Sequence, residues 1–215
     1  MNRERQLSPL DRVIRGLDEG LRTLCADPTP TARPTPEPED ESRALDASER
    51  RHAAGLMRIN HAGEIAAQAL YQAQALTARD PEVATRMQHS ADEEIDHLAW
   101  CQIRLEELDS RTSRLAPLWY LGSFGVGTLA GIAGDRWSLG FVGETERQVC
   151  QHLEDHMERL PEGDERSRAI LRRMHAEEQE HGDAAMDAGG SELPEAVRTL
   201  MWASSRVMTT LAYRI

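Results

Sequence analysis

Apolar residues recur at three- and four-residue steps along most of the chain, which predicts a succession of amphipathic helices. Near the start, Ser8-Pro9 supplies a helix cap followed by a first-turn proline. Leu10, Val13, Ile14, Leu17, Leu21 and Leu24 follow at helical spacing, so residues 1–26 are expected to form one short amphipathic helix. Residues 27–40 read DPTPTARPTPEPED, with five prolines and almost nothing apolar; 27–45 is therefore expected to be an extended linker.

The helical period resumes in residues 46–215. A first helix is expected over about 48–79, with Leu56, Ile59, Ala66, Leu70 and Ala73 as its buried stripe. Asp80-Pro81 caps a second, whose inward face reads Val83, Met87, Ser90, Glu94, His97, Cys101, Leu105 and Leu108. A third carries Val142, Thr145, Glu146, Val149, Leu153, His156 and Leu160 on one side and stops near Pro161. In a fourth, capped by Asp164 and ended by Gly189-Gly190, Leu171, Met174, Glu178, His181 and Ala185 align. A last helix from about Pro194 sets Val197, Leu200, Met201, Met208 and Leu211 on one face, to close the core or to meet a membrane.

Residues 115–134 break the pattern: 20 positions without a charge, five of them glycine. The length approaches that of a membrane span, but Pro117 and the glycines weaken the stretch as a free helix. A crossover between two halves of a helical bundle has about this length. The expectation is a crossover lying against a membrane surface, ahead of a buried crossover or a transmembrane span.

Composition narrows the function. With 37 acidic and 25 basic residues the net charge is −12, which opposes binding to phosphate backbones; nucleic acid is not an expected partner. Three cysteines without a CxxC pair suggest neither a disulfide scaffold nor a zinc ribbon, and fit a reducing compartment. No secretory signal is visible in the first residues.

Against this background two short segments stand out. Glu94-Ile-Asp-His97 and Glu178-Gln-Glu-His181 repeat the pattern ExxH 84 residues apart. Glu64 precedes the first by 30 residues, and Glu146 precedes the second by 32. Three helical steps turn a side chain through roughly 300°, so each Glu and His share a face. Packing four such helices brings together Glu64, Glu94, His97, Glu146, Glu178 and His181, a donor set suited to two iron or manganese ions. Four ionised carboxylates balance two divalent cations, whereas the same carboxylates buried alone are costly. Either ExxH alone is more often a surface pair; the matched upstream glutamates and apolar faces reverse that reading. Glu93, Glu144 and Glu177 are close alternatives as ligands. His61 and His152 either orient ligand carboxylates or, as is commoner, are ordinary packing histidines. The expected fold is all-α: a ferritin-like four-helix bundle with a long apolar crossover and an additional C-terminal helix.

The segments Asn60-His-Ala-Gly-Glu64, Glu94-Ile-Asp-His97, Thr145-Glu146 with His152, and Glu178-Gln-Glu-His181 resemble the demethoxyubiquinone hydroxylase family. The resemblance runs from about Asp46 to Ile215 and includes the uncharged crossover. It implies a di-iron monooxygenase that hydroxylates a polyprenylated benzoquinone ring with O2, late in ubiquinone biosynthesis, peripheral on the cytoplasmic face of a bacterial inner membrane. It further implies Glu64 and His97 as terminal ligands of one iron, Glu146 and His181 of the other, and Glu94 and Glu178 as bridges. No GxGxxG loop for a dinucleotide is present, so electrons are expected from a partner or from the reduced substrate. An electron donor or other ubiquinone-biosynthesis proteins are the candidate partners, besides the quinone and the lipid surface. The alternatives are a ferritin-like iron-storage protein and another ferritin-like oxygenase acting on a soluble substrate or RNA. The uncharged crossover counts against the first and the acidic charge against RNA.

Overall fold

The computed structural model describes residues 16, 18–24, 33–38 and 43–215. Leu10, Val13, Ile14, Leu17 and Cys25 lie outside the described residues. The remainder of the chain forms α1 (Ala47–Thr77), α2 (Pro81–Glu107), α3 (Ala116–Ala133), α4 (Asp135–Arg159), α5 (Glu165–Asp187) and α6 (Glu195–Ala212), with no strand among the described residues.

Local chemistry sets the helix ends. Asp46 begins α1 through a capping box with Glu49, a signal that places the start one residue before the expected Ser48. Asp80 accepts the Glu82 amide ahead of Pro81, and Asp164 accepts the Ser167 amide at 3.0 Å, as their positions in the sequence suggested. Gly189 adopts φ +103° just past α5.

The direction of each helix follows from its contacts. Helix α1 pairs with α2 and α4 with α5. The crossover α3 runs beside α1 in the same direction, with Gly127 against Leu70 and Gly131 against Thr77. It therefore returns the chain to the end where α1 stops. There Asp135, at the start of α4, accepts the amides of Arg79 (3.0 Å) and Asp80 (2.8 Å). With α3 inserted, α2 and α5 run antiparallel and their ExxH motifs face each other. This is a ferritin-like bundle with one long crossover.

The glycines that weaken α3 as an isolated helix are what allow it to dock. A Cβ at Gly127 would lie 2.8 Å from the Leu70 carbonyl oxygen, and one at Gly131 would lie 1.8 Å from Thr77 Oγ1. Close packing on α1 thus outweighs poor propensity, which is only a weak prior. One side of α3 buries Tyr120; the other exposes Leu118, Leu121, Leu129 and Ile132. No helix among the described residues is long and apolar enough to cross a membrane.

Every residue of the expected α2 face is buried. In α1, by contrast, Ala66 and Leu70 are only half-buried, because α3 and α2 cover different sides and the helix has no single inner stripe. Helix α6 does not close the core: Ala212 is its one buried residue, while Leu200, Trp202 and Val207 are exposed. The described residues of the N-terminal region touch the bundle. Residues 18–24 are helical, Leu24 packs beside Tyr120, and Thr23 Oγ1 donates to Gln68 Oε1 at 2.6 Å. Residues 33–38 lie on the bundle, with Arg166 Nη1 donating to the Pro36 carbonyl at 3.0 Å.

Candidate metal centre

Four bundle helices deliver the predicted ligands to one interior site: Glu64 from α1, Glu94 and His97 from α2, Glu146 from α4, Glu178 and His181 from α5. All but His181 are buried, Glu94 and His97 completely. Glu64, Glu94, His97 and Glu178 each offer a ligand atom within 4.8 Å of the others.

The two ExxH motifs meet in a crossed arrangement. His97 Nδ1 lies 3.0 Å from Glu94 Oε2 and 3.1 Å from Glu178 Oε1. His181 Nδ1 lies 3.2 Å from Glu178 Oε2 and 3.5 Å from Glu94 Oε1. Each of these two carboxylates therefore turns one oxygen toward each imidazole, the geometry a bridging carboxylate requires. Glu64 Oε2 lies 3.6 Å from His97 Nδ1, on that half of the site. Tyr71 donates its hydroxyl to Glu146 Oε1, and Glu146 faces Glu178, Glu94 and His181.

The outer nitrogens are held just as symmetrically. His97 Nε2 meets Glu177 Oε2 at 2.6 Å, and His181 Nε2 meets Glu93 Oε2 at 2.9 Å. The residue before each ExxH glutamate in one helix thus holds the histidine of the other helix. An imidazole that donates Nε2–H outward keeps Nδ1 turned into the centre for a cation, a common device in metal sites.

Electrostatics show what this donor set is short of. Burial, then the neighbouring carboxylates, pushes Glu64 and Glu146 well above the usual carboxylate range. Burial acts the same way on Glu94, but the imidazoles of His97 and His181 hold it well below that range. Burial opposes charge on the histidines too, yet Glu94 and the other carboxylates raise His97 strongly, and Glu178 and Glu94 push His181 up to about 12. Carboxylates buried this closely call for compensating positive charge, from protons or from cations. Glu94 Oε1 and Glu146 Oε2 are buried without a hydrogen bond, which is costly unless a cation meets them. Oxygen and imidazole donors, a surplus of buried carboxylate and orphaned oxygens fit a pair of divalent metal ions.

Of the alternative acids, Glu93 and Glu177 touch the outer side of the imidazoles, and Glu144 pairs with Arg147 at 2.7 Å away from the centre. His152 bonds Ser205 Oγ at 2.9 Å and stacks on His156, so it orients no ligand. His61 is buried with an unpartnered Nδ1, and burial lowers it to about 4. Sequence reasoning did not single out Tyr71, although it lies two helical turns after Glu64. Tyr71→Phe leaves a second Glu146 oxygen unpartnered. Loss of this hydrogen bond is expected to cost about 1.5–3 kcal/mol if Glu146 is ionised, read by chemical denaturation of the metal-loaded protein.

The family described as "Ubiquinone biosynthesis protein COQ7" matches residues 51–212. A "3-demethoxyubiquinol 3-hydroxylase" of Polynucleobacter necessarius subsp. necessarius (strain STIR1) is 55% identical over 210 residues, covering 97% of this chain and 100% of the relative. Proteins with the same name from Cupriavidus necator (59% over 208 residues; 96% and 100% covered) and Ectopseudomonas mendocina (53% over 215 residues; 100% of both) are also similar. With the match spanning all four helices that carry the buried carboxylate and imidazole cluster, this chain belongs to the COQ7 family of ubiquinone biosynthesis proteins.

Proposed function

We propose that this chain is a hydroxylase of ubiquinone biosynthesis that binds two iron ions and places one oxygen atom of O2 on the ring of a polyprenylated 3-demethoxyubiquinol. The observation that carries this reading is the crossed pair of carboxylates, Glu94 and Glu178, between His97 and His181. The relatives named 3-demethoxyubiquinol 3-hydroxylase support the substrate.

In balance, a ring C–H becomes C–OH, and the second oxygen leaves as water after accepting two electrons and two protons. Iron held here supplies the oxygen-reducing redox chemistry that side chains lack. The protein's own contribution is positional. Glu94 and Glu178 offer oxygens to both halves, Glu64 and Glu146 complete one half each, and Tyr71 fixes the Glu146 carboxylate. Glu93 and Glu177 lock the imidazoles with Nδ1 inward. Cys101 and Met174, packed 3.8 Å apart in the core, belong to the apolar wall that limits water on the His97 side. Cells lacking this protein are expected to accumulate the demethoxylated quinone in their lipid extracts. An unchanged quinone pool refutes the substrate.

A lipid-dissolved substrate calls for contact with the membrane, and the exposed side of α3 suits peripheral binding at the cytoplasmic face of the inner membrane. Leu121 and Leu129 are exposed, whereas Phe124, equally apolar, packs beside Tyr120. Leu121→Lys and Leu129→Lys are therefore the informative changes. Each forfeits apolar contact worth roughly 25 cal/mol per Å² buried. Flotation with liposomes should weaken while iron loading survives, and turnover of a long-chain quinone should fall more than that of a short-tailed analogue. Unaltered flotation in the double variant counts against α3 as the lipid-facing surface.

A further inference from the structure

The two halves of the metal centre are related by an approximate symmetry that their surroundings break. On one half, His97 is held by Glu177, and Glu177 is in turn held by Arg33 Nη1 at 2.7 Å and by Arg173. On the other, His181 is held by Glu93, whose carboxylate meets His89 at 3.7 Å. A cavity of about 330 Å³ reaches His181 itself but not His97; Glu93, His89, Glu177, Arg173 and Arg33 line it too. Exposure follows the same division: the His97 side chain is 0% exposed and that of His181 10%, with Glu177 at 11% and Glu93 at 35%.

Arg33 comes from the proline-rich stretch, far from the bundle in sequence, yet it is among the most connected side chains near the centre. Its guanidinium bridges Glu177 and the buried carboxylate of Asp96, and donates through Nη2 to the Glu93 carbonyl at 3.3 Å. It also lies over the Trp100 ring, 5.1 Å from the centroid, and Trp100 packs against His97 at 5.3 Å. A planar guanidinium can hold two carboxylates and an aromatic face in fixed relation; an ammonium cannot.

We propose that Arg33 is a positioning residue for the metal centre: docked through residues 33–38, it fixes Glu177 and Trp100 and through them the His97 half, while its contact with Glu93 is to the backbone carbonyl and not to the carboxylate that meets His181. The His181 half, bordered by the cavity, is left as the more exchangeable of the two. This inference rests on the two-iron reading of the site.

The test uses full-length protein loaded with ⁵⁷Fe, comparing wild type with Arg33→Gln, Arg33→Lys, Glu177→Gln and Glu93→Gln. Two readouts are taken: Mössbauer spectra and the two iron(II) dissociation constants obtained by chelator competition. Arg33→Gln is expected to alter one of two iron signals and to raise one dissociation constant about 10–100-fold, the size typical of losing an outer partner of a ligand histidine. Glu177→Gln should alter the same signal, Arg33→Lys should alter it less, and Glu93→Gln should alter the other. Adding Arg33→Gln to Glu177→Gln should produce little further change, because both act along one chain of contacts. Should Arg33→Gln fail to fold, Arg33→Lys carries the same expectation at smaller size. Unchanged spectra and constants in the Arg33 variants, or equal changes at both irons, overturn the inference while leaving the two-iron reading intact. Wild-type protein that binds fewer than two irons overturns that reading, and the inference with it.

Discussion

Glu178→Ala is expected to lose most of both metal ions, whereas Glu64→Ala retains close to one per chain. The difference follows from the crossed geometry: Glu178 turns Oε1 toward His97 and Oε2 toward His181, while Glu64 approaches His97. As a bridge, Glu178 would give an oxygen to each half, and its loss would leave Glu94 as the carboxylate common to the two imidazoles. Turnover by Glu178→Ala should consequently fall by more than the roughly 10–100-fold that losing an outer partner of a metal ligand costs. Metal analysis and quinol hydroxylation of the two variants are the measurements. Equal residual turnover in both at full iron occupancy contradicts the assignment of Glu178 as a bridge.

Removing iron should make stability fall as pH rises, far more steeply than in the loaded protein. With no metal bound, burial and mutual repulsion raise Glu64 and Glu146 above their ordinary 4.5, and the surrounding carboxylates raise His97 and His181 above 6.5. A group raised in the folded state contributes stability that is complete below its ordinary pKa and disappears as pH climbs through the raised one. The loss thus begins above 4.5 for the two glutamates and above 6.5 for the histidines, extending to about 12 for His181. Glu94 and Glu177 are lowered instead, Glu177 to about 2, so their contribution is complete above 4.5 and adds no slope there. In the loaded protein cations should take the place of these protons and flatten the dependence. Denaturant titrations between about pH 5 and pH 8 should therefore diverge for the metal-free and loaded forms. Parallel curves mean that the acids do not share one buried site.

Much of this was legible in the sequence because it is local. Helix periods, the caps at Asp80 and Asp164, and the i,i+3 spacing of Glu94–His97 and Glu178–His181 each involve neighbours within a turn or two. The buried face of α2 followed directly from that periodicity. What escaped depends on how helices meet. Glu93 and Glu177 hold the opposite helix's histidine only because α2 and α5 run antiparallel, a relation imposed by the crossover. The same glutamates in isolation read as rival ligands. The crossover itself looked like a poor helix until the contacts of Gly127 and Gly131 with α1 were set against intrinsic propensity. Arg33 carried no local signal at all, since its partners Asp96, Trp100 and Glu177 are each more than sixty residues away.

The central claim, that the buried carboxylates and imidazoles make this chain an oxygen-inserting enzyme, is tested most directly by isotope. Iron-loaded protein, a two-electron donor and a 3-demethoxyubiquinol analogue are incubated under ¹⁸O₂, and the product is weighed by mass spectrometry. The account predicts a ring hydroxyl carrying one ¹⁸O atom, formed by wild type and absent with Glu178→Ala. Product whose new oxygen comes from water, or labelled product formed equally by Glu178→Ala, would contradict it.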